Sequence, residues 1–333
     1  MKKPLVSISC ITYNHEKYIA DALESFLMQK TNFDFEILIH DDASTDETAN
    51  IIREYEKKYP NIIKPIYQTE NQYKKGVKRI FYTFNDVRAM GKYIALCEGD
   101  DYWTNPYKLQ KQVDYMEKNP GSSMCFHSAE VVDDEKRLLG RNVRPYKENC
   151  IVSIEDLIIG GGGFCATASI LYRRNLVKDL PQFFIDAHVG DFPLQLILAS
   201  KGDVYYIDES MSDYRLGVGV SWTTNINSGN DVKEKNIKNW QSDINLLKEF
   251  NIYTGYKHQK IIDIVNNDRL MKILLISRKK GDIKKSPCKE YYENLKINDK
   301  LKINIKYYLP KLSKSMSTTK KNIKLYLYNL NRK

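Results

Sequence analysis

The chain has 333 residues, with 52 Lys+Arg against 42 Asp+Glu for a formal net charge of +10, 42% apolar and 28% charged. That balance excludes a disordered chain, a collagen and a disulfide-stapled miniprotein. The length suffices for one large domain, or one domain with an appendage, and a sizeable core.

In chain order, Leu5–Thr12 is an apolar, β-branched run and predicts a first strand. Asn14 is placed to cap a helix through Met28, with Ile19, Ala22, Leu23, Phe26 and Leu27 on one face. Phe35–His40 predicts a second strand, ending at Asp41. Ser44-Thr45-Asp46-Glu47 reads as a capping box opening a helix through Lys58. Ile62–Tyr67 is a third strand, Val77–Met90 a helix stopped by Gly91, and Tyr93–Cys97 a fourth strand. A helix follows Pro106 and ends at Asn119-Pro120-Gly121. Met124–His127 is a fifth strand. Beyond residue 130 the pattern loosens. Gly160–Gly163 lacks a following Lys-Ser/Thr, so it is no phosphate loop and reads as a flexible acceptor-side loop. Gly190-Asp191 opens a helix over Phe192–Ser200. Val204–Ile207 is a short strand, and Met211–Arg215 leads into a Gly-rich loop ending at Ser221-Trp222. From Asp231 the chain turns helical, Lys-rich and Asn-rich.

Charge follows this division. Residues 1–230 hold 27 basic and 32 acidic side chains, and residues 231–333 hold 25 and 10. An acidic body carries a basic tail, and a boundary is expected near residue 230. None of the six cysteines forms a C-x-x-C pair, so buried, reduced thiols of a cytoplasmic protein are expected. No run of about 18 apolar residues occurs, so no membrane-spanning helix is expected. The opening Met-Lys-Lys-Pro stretch has too short an apolar part for a signal and reads better as a strand.

Strands alternating with helices imply βαβ units and a mostly parallel sheet, which binds ligands at the carboxyl ends of its strands. The acidic clusters lie there: Asp41-Asp42 after the second strand, and Glu98-Gly99-Asp100-Asp101 after the fourth. Carboxylates beside an apolar strand are costly unless solvated, paired or metal-bound. One or two of them with a diphosphate is a common way to hold a divalent cation. Each cluster alone also reads as a solvated turn with helix caps; two facing one crevice favour a site.

Val6-Ser7-Ile8-Ser9-Cys10-Ile11-Thr12-Tyr13-Asn14, Asp41-Asp42-Ala43-Ser44-Thr45-Asp46, and Gly91-Lys92-Tyr93-Ile94 followed by Glu98-Gly99-Asp100-Asp101 together resemble family 2 glycosyltransferases. Their order and spacing agree over residues 4–125, and Gly190-Asp191 and Tyr214-Arg215 extend the likeness to about 225. The resemblance is to bacterial capsule and cell-surface polysaccharide enzymes. It implies a GT-A fold over 1–230, with a nucleotide-sugar half (1–125) and an acceptor half (126–230), followed by a helical basic region (231–333). Thr12 and Tyr13 would line the nucleobase pocket, and Asp41 would accept from a uracil N–H, since a carboxylate is an acceptor only. Asp100 would lie near ribose and metal, Asp101 would be the main ligand of Mn²⁺ or Mg²⁺, and Asp191 would be the general base. Inversion follows from the family and agrees with a single base. Ile11 replaces the family's usual Pro. The Q-x-x-R-W signature of processive synthases is absent, which argues for transfer of one sugar. Leu216-Gly217 stands where many relatives carry a His, so no late His ligand is assigned.

Further candidates come from chemistry alone. Arg215 matches diphosphate oxygens or a structural ion pair. Trp103 is a core anchor or a platform under a sugar ring. His127 and His188 are acceptor-side candidates, and His40 a strand-end filler. Lys74, Lys75, Lys78 and Arg79 form a basic run, mostly solvated, from which one side chain could approach the donor phosphates. Residues 301–333 interleave nine Lys/Arg with aromatic and aliphatic side chains, which suits an anionic membrane surface or, alternatively, packing on the body. A peripheral position at the inner face of the plasma membrane and a lipid-linked saccharide acceptor would account for that tail. Nucleic acid is not an expected partner. The rival functions are an inactive sugar- or nucleotide-binding module and a nucleotidyltransferase of similar topology. The latter would need a Gly-rich, basic loop where Thr12-Tyr13-Asn14-His15-Glu16 stands.

Overall fold

The computed structural model describes residues 3–218, 229, 231–277, 280–285 and 288–308. It divides into two compact units, one of Met1–Leu138 with Asn142–Ser221, the other of Leu139–Arg141 with Trp222–Lys333. The division falls at 221/222, where a boundary near 230 is expected from the sequence. The Gly-rich loop up to Ser221-Trp222 lies outside the described residues from 219 on.

The first unit is built on a ten-stranded sheet. Its strands are β1 (Val6–Thr12), β2 (Phe35–Asp41), β3 (Ile63–Tyr67), β4 (Tyr93–Leu96), β5 (Tyr102–Trp103), β6 (Ser122–Val132), β7 (Leu138–Val143), β8 (Cys150–Val152), β9 (Leu171–Arg173) and β10 (Asp203–Arg215). The order is β3-β2-β1-β4-β9-β6-β10-β5, with β7 on β6 and β8 on β10. β1 pairs in parallel with β2 and β4, β2 with β3, and β6 with β10. β9 is inserted antiparallel between β4 and β6. This mixed sheet with flanking helices is the GT-A architecture.

The helices of this unit are α1 (Ile19–Leu27), α2 (Thr48–Lys58), α3 (Lys108–Lys118), α4 (Ile154–Gly160), α5 (Gln182–Asp186) and α6 (Asp191–Lys201). On α1, Ile19, Ala22, Leu23 and Phe26 are buried, and the Phe26 ring lies 4.8 Å from that of Trp103. Burying side chains of the size of Ile19, Leu23 and Phe26 contributes about 1.5–3 kcal/mol each.

Three local expectations fail for one reason: polar side chains there bond across the fold. Asn14 does not cap α1. It sits in the left-handed region (φ 55°), and its Oδ1 accepts from Thr45 N at 2.8 Å. Ser44 does not cap α2 either: its hydroxyl donates to Asp41 and accepts from Asn14 N at 2.9 Å. Instead of a helix over Val77–Met90 there is a π turn (Phe81–Asn85) and a 3-10 turn (Asp86–Arg88). Buried Asn85 donates there to the carbonyls of Cys10 (2.9 Å) and Leu38 (3.2 Å).

The second unit is helical, as expected, with α7 (Val232–Tyr253), α8 (Gln259–Ile276), α9 (Cys288–Asn294) and α10 (Ile297–Tyr308). α7 and α8 pair, with an Arg269–Asp243 ion pair at 3.4 Å. Of the basic tail, residues 309–333 lie outside the described residues. Among the described residues no helix is long and apolar enough to cross a membrane. All six cysteines are unpaired.

Candidate active site

The site forms at the carboxyl ends of β1, β2, β4 and β10. Thr12 and Asp41 are register partners at the ends of β1 and β2. The loops that follow are joined by backbone-to-side-chain bonds: His15 N to Thr48 Oγ1 (2.8 Å), Glu16 N to Asp46 Oδ2 (3.1 Å) and Glu47 N to Glu16 Oε2 (3.0 Å). Asp41 is buried and takes the Ser44 hydroxyl; burial raises its pKa, and the Ser44 bonds partly offset the rise. Asp42 has a different task. Its two oxygens accept from Gln72 N (2.8 Å) and Tyr73 N (3.1 Å), so it holds the loop after β3. That loop brings Lys74 Nζ within 3.3 Å of the Tyr13 hydroxyl. Lys75 instead pairs with Glu70 and Lys78 with Asp186, while Arg79 is buried.

The acidic turn after β4 is fixed from both sides. Gly99 N donates to Ile11 O at 2.9 Å, and a Cβ on Gly99 would stand 2.7 Å from Thr12 Oγ1. Only glycine allows this approach. From the other side, Arg215 N donates to Asp101 Oδ1 (2.8 Å), and Arg215 Nη1 to the Asp100 carbonyl (2.7 Å). The Arg215 guanidinium also pairs with Asp21 and lies 4.9 and 4.6 Å from the Tyr18 and Tyr102 ring centres. Arg215 is 2% exposed. Its observed partners are those of a structural ion pair, and through them it braces the acidic turn. Bulges in β10 between Ile207 and Ser212 adjust the register that brings its end to this turn.

Asp101 is 1% exposed, and its second oxygen, Oδ2, is buried with no hydrogen-bond partner. Burial, and then repulsion from Asp100 and Glu98, hold its pKa well above the carboxylate range. Glu98 is pushed up to about 8 by burial, Asp100 and Asp191. A buried carboxylate oxygen with nothing to bond fits a cation. Among the described residues no three His, Cys, Asp or Glu side chains form a cage by themselves. The donor set therefore suits an ion completed by substrate phosphates.

Asp191 is the first residue of α6, and Gly190 is the cap, without a side-chain bond. The Asp191 carboxylate accepts from Phe192 N at 2.8 Å, and its charge helps to raise the Glu98 pKa, so the base candidate stands within electrostatic reach of the acidic turn. Gly160–Gly163 is not a flexible loop. It ends α4 and forms a 3-10 turn, and a Cβ on Gly162 would stand 3.4 Å from Asp191 Oδ2.

Two acceptor-side candidates are core residues. Trp103 is 1% exposed; its Nε1 donates to Ala168 O at 2.8 Å, and Lys108 Nζ lies 3.9 Å from the ring centre. It is an anchor and offers no face to a sugar. His127 is fully buried because β6 runs on to Val132, which makes it a mid-strand residue. Its Nδ1 lies 2.8 Å from Ser128 O, and burial holds its pKa well below the usual histidine value. His188 stands half-buried between α5 and α6, three residues before Asp191 in the chain. His40 fills space as expected, stacked 4.4 Å from Phe84. The residue that sequence reasoning missed is His15, whose Nε2 lies 3.9 Å from Asp100 Oδ2. Its place just past the end of β1 was the available signal.

Comparison with known proteins bears on the family and the fold. The glycosyl transferase family 2 model matches residues 7–180, more than half of the chain. An uncharacterised Mycobacterium tuberculosis protein is 38% identical over 213 residues, 63% of this chain and 58% of that protein. TuaG of Bacillus subtilis, described as a putative teichuronic acid biosynthesis glycosyltransferase, is 30% identical over 219 residues, 64% of this chain and 80% of TuaG. Staphylococcus aureus TarS 1–349 in complex with UDP aligns with TM-score 0.56 at 17% identity, covering 92% of this chain and 81% of that one. The mannosyltransferase PcManGT from Pyrobaculum calidifontis, in complex with GDP-Man and Mn²⁺, aligns with TM-score 0.55 at 15% identity, covering 99% and 88%. At those identities the structural likeness is one of fold. The chain spans just over half the length of the mycobacterial relative. The chain belongs to glycosyltransferase family 2.

Proposed function

We propose that this chain is a metal-dependent, inverting glycosyltransferase. It moves one sugar from a nucleotide sugar, UDP-linked in this reading, to a hydroxyl of a saccharide acceptor in cell-surface polysaccharide synthesis. The observation that carries the reading is Asp101, whose buried oxygen has no bonding partner, in an acidic turn that feels the charge of Asp191 at the start of α6. The fold-level neighbours crystallised with UDP and with GDP-Man support a nucleotide-sugar donor. A lipid-linked acceptor and a peripheral position at the inner membrane face remain part of the proposal through the basic tail.

In this reading Thr12, Tyr13 and Asp41 line the base and ribose end, and Lys74 meets the phosphates from the loop that Asp42 holds. Asp101 and Asp100 would hold Mn²⁺ or Mg²⁺, whose chemistry is to neutralise charge developing on the diphosphate leaving group. Asp191 takes the proton of the acceptor hydroxyl, and that oxygen attacks the anomeric carbon from the face opposite the diphosphate. Arg215 keeps Asp100 and Asp101 in place.

A thermal-shift screen of UDP-, GDP- and dTDP-sugars with Mn²⁺, followed by hydrolysis of the stabilising donor, tests the reading. Metal-dependent nucleotide release is expected. Binding without any turnover would favour the inactive module, and full turnover in EDTA would remove the metal.

A further inference from the structure

The loop between β3 and β4 touches both halves of the crevice. At its first end it is tied to Asp42, which takes the Gln72 and Tyr73 amides and whose carbonyl accepts from Asn71 Nδ2 at 2.9 Å. Just before its π turn stands Arg79, 8% exposed and in the left-handed region (φ 57°). A buried guanidinium on strained backbone persists only where its surroundings hold it. Here they do so through the segment leading to Asp191. Arg79 Nε donates to Phe184 O at 2.7 Å, and Nη2 donates to Ile185 O at 3.5 Å and to Ala187 O. These carbonyls belong to the end of α5, where backbone acceptors lack helical partners. The guanidinium lies 5.4 Å from the Phe184 ring centre, and Lys78 Nζ adds a contact to Asp186 at 3.6 Å. Arg79 Nη1 would stand 3.5 Å from a Cβ on Gly190, the residue before Asp191. Burial draws the Arg79 pKa down to about 10, while Asp191 and Asp186 hold it up. The side chain is therefore cationic at neutral pH.

We propose that Arg79 is the positioning residue for Asp191: it grips the Phe184, Ile185 and Ala187 carbonyls and places its charge beside the base, so the donor-half loop sets where the base stands. This rests on the reading of Asp191 as general base. The basic run seen in the sequence is thus divided by burial, with Lys74 at the donor side and Arg79 under the base.

The test uses hydrogen–deuterium exchange and kinetics on the full chain. In Arg79→Ala, amides 188–192 should exchange at least ~10-fold faster while the sheet keeps its protection. With UDP-GlcNAc and GDP-mannose as probe donors and Mn²⁺ present, kcat for hydrolysis should fall ~10–100-fold, with donor KM within about two-fold of the parent. The acidic limb of the kcat–pH profile should move to higher pH, because a lost positive charge makes a carboxylate harder to ionise. Arg79→Lys keeps the charge but not the fork. Its limb should stay at the parent's pH, with fast exchange at 188–192. Parent-like exchange at 188–192, an unmoved limb in Arg79→Ala, or a loss lying in donor KM would overturn the proposal. Should Arg79→Ala not fold, Arg79→Lys decides by exchange alone, and exchange also decides if neither donor is hydrolysed. Asp191→Asn separates the two readings: parent-like hydrolysis there removes the base, while the exchange result still decides what Arg79 holds.

Discussion

The donor side and the base side of the crevice are built in different ways. On the donor side the ends of β1, β2 and β4 and their loops are cross-linked: Asn14 to Thr45, His15 to Thr48, Gly99 to Ile11, and Asp42 to Gln72 and Tyr73. On the base side the Arg79 guanidinium takes the Phe184, Ile185 and Ala187 carbonyls and Lys78 Nζ that of Asp186, and a glycine backs the carboxylate. A donor presents the same nucleotide and diphosphate every time, so a rigid cradle costs nothing in range. An acceptor side built of short turns can vary, as loops do where specificity resides. The contrast teaches that changes to the two sides should fail differently, in binding and stability on one and in rate on the other.

The largest effect is expected at Asp101. Asp101→Asn keeps the volume and an oxygen for Arg215 N but removes the charge on the orphaned side. Several kcal/mol of transition-state stabilisation are at stake, so turnover should fall ~10³-fold and saturating donor should not restore it. Mn²⁺-dependent UDP binding, measured by calorimetry, should weaken in parallel. Binding that stays at the parent's value would place the charge elsewhere.

Next comes Asp191→Asn. Gly190 is the helix cap and an Asn oxygen can still accept from Phe192 N, so melting temperature should hardly move. Asn cannot take a proton, and transfer should slow at least ~100-fold with donor affinity intact. A rate within a few-fold of the parent breaks the contrast and makes His188 the next candidate; His127 is sealed in β6.

Much of the donor side was legible in the sequence because it lies at strand ends, where an apolar run stops at an acid. Asp41, Asp100 and Asp101 follow from that pattern. What sequence patterns could not separate were neighbours with different jobs. Asp41 and Asp42 are adjacent, yet one takes a hydroxyl in the crevice and the other takes two loop amides. Trp103 follows Asp101 by two residues and points into the core instead of the site. Tertiary partners decide these outcomes, and periodicity carries no information about them. The same holds for β9, three residues inserted antiparallel, and for the continuation of β6 past His127. Arg79 was visible only as one of four basic residues, because what distinguishes it is burial against carbonyls more than a hundred positions away.

A third expectation concerns the donor-side scaffold and pH. His40, buried near the end of β2 and stacked on Phe84, has its pKa drawn down to about 4, chiefly by burial, from an unperturbed 6.5. Below pH 6.5 the unfolded chain binds a proton that the folded chain refuses, so this group makes the fold less stable as pH falls toward 4. Between pH 7 and 5 the loss is about 2 kcal/mol. Denaturant titrations of parent and His40→Gln at both pH values should diverge by that amount, the variant losing less. Buried Asp86, raised to about 7 by burial, works with the opposite sign. Above pH 4 the unfolded carboxyl ionises before the folded one, so Asp86→Asn should remove a loss that grows from pH 4 to 7. Equal slopes in parent and variants would mean that neither side chain is sealed as tightly as its packing implies.

The smallest effect, and the sharpest test of the cross-linked side, is Asp42→Asn. Its oxygens accept from Gln72 N and Tyr73 N, two charge-assisted bonds that tie the β3–β4 loop to the end of β2. An Asn side chain offers one acceptor oxygen and an NH₂ that would face a second amide N–H. One bond is lost and a donor meets a donor. Bonds to charged groups contribute about 1.5–3 kcal/mol, but this loop is partly solvated and water can replace one partner, so about 1 kcal/mol of stability is the expected cost. The loop carries Lys74 to the Tyr13 hydroxyl, so donor KM should rise a few-fold, while kcat, set by Asp191 and its own segment, changes less. If kcat falls as far as KM rises, the loop transmits the disturbance all the way to the base through Arg79, and the two sides act as one mechanical unit.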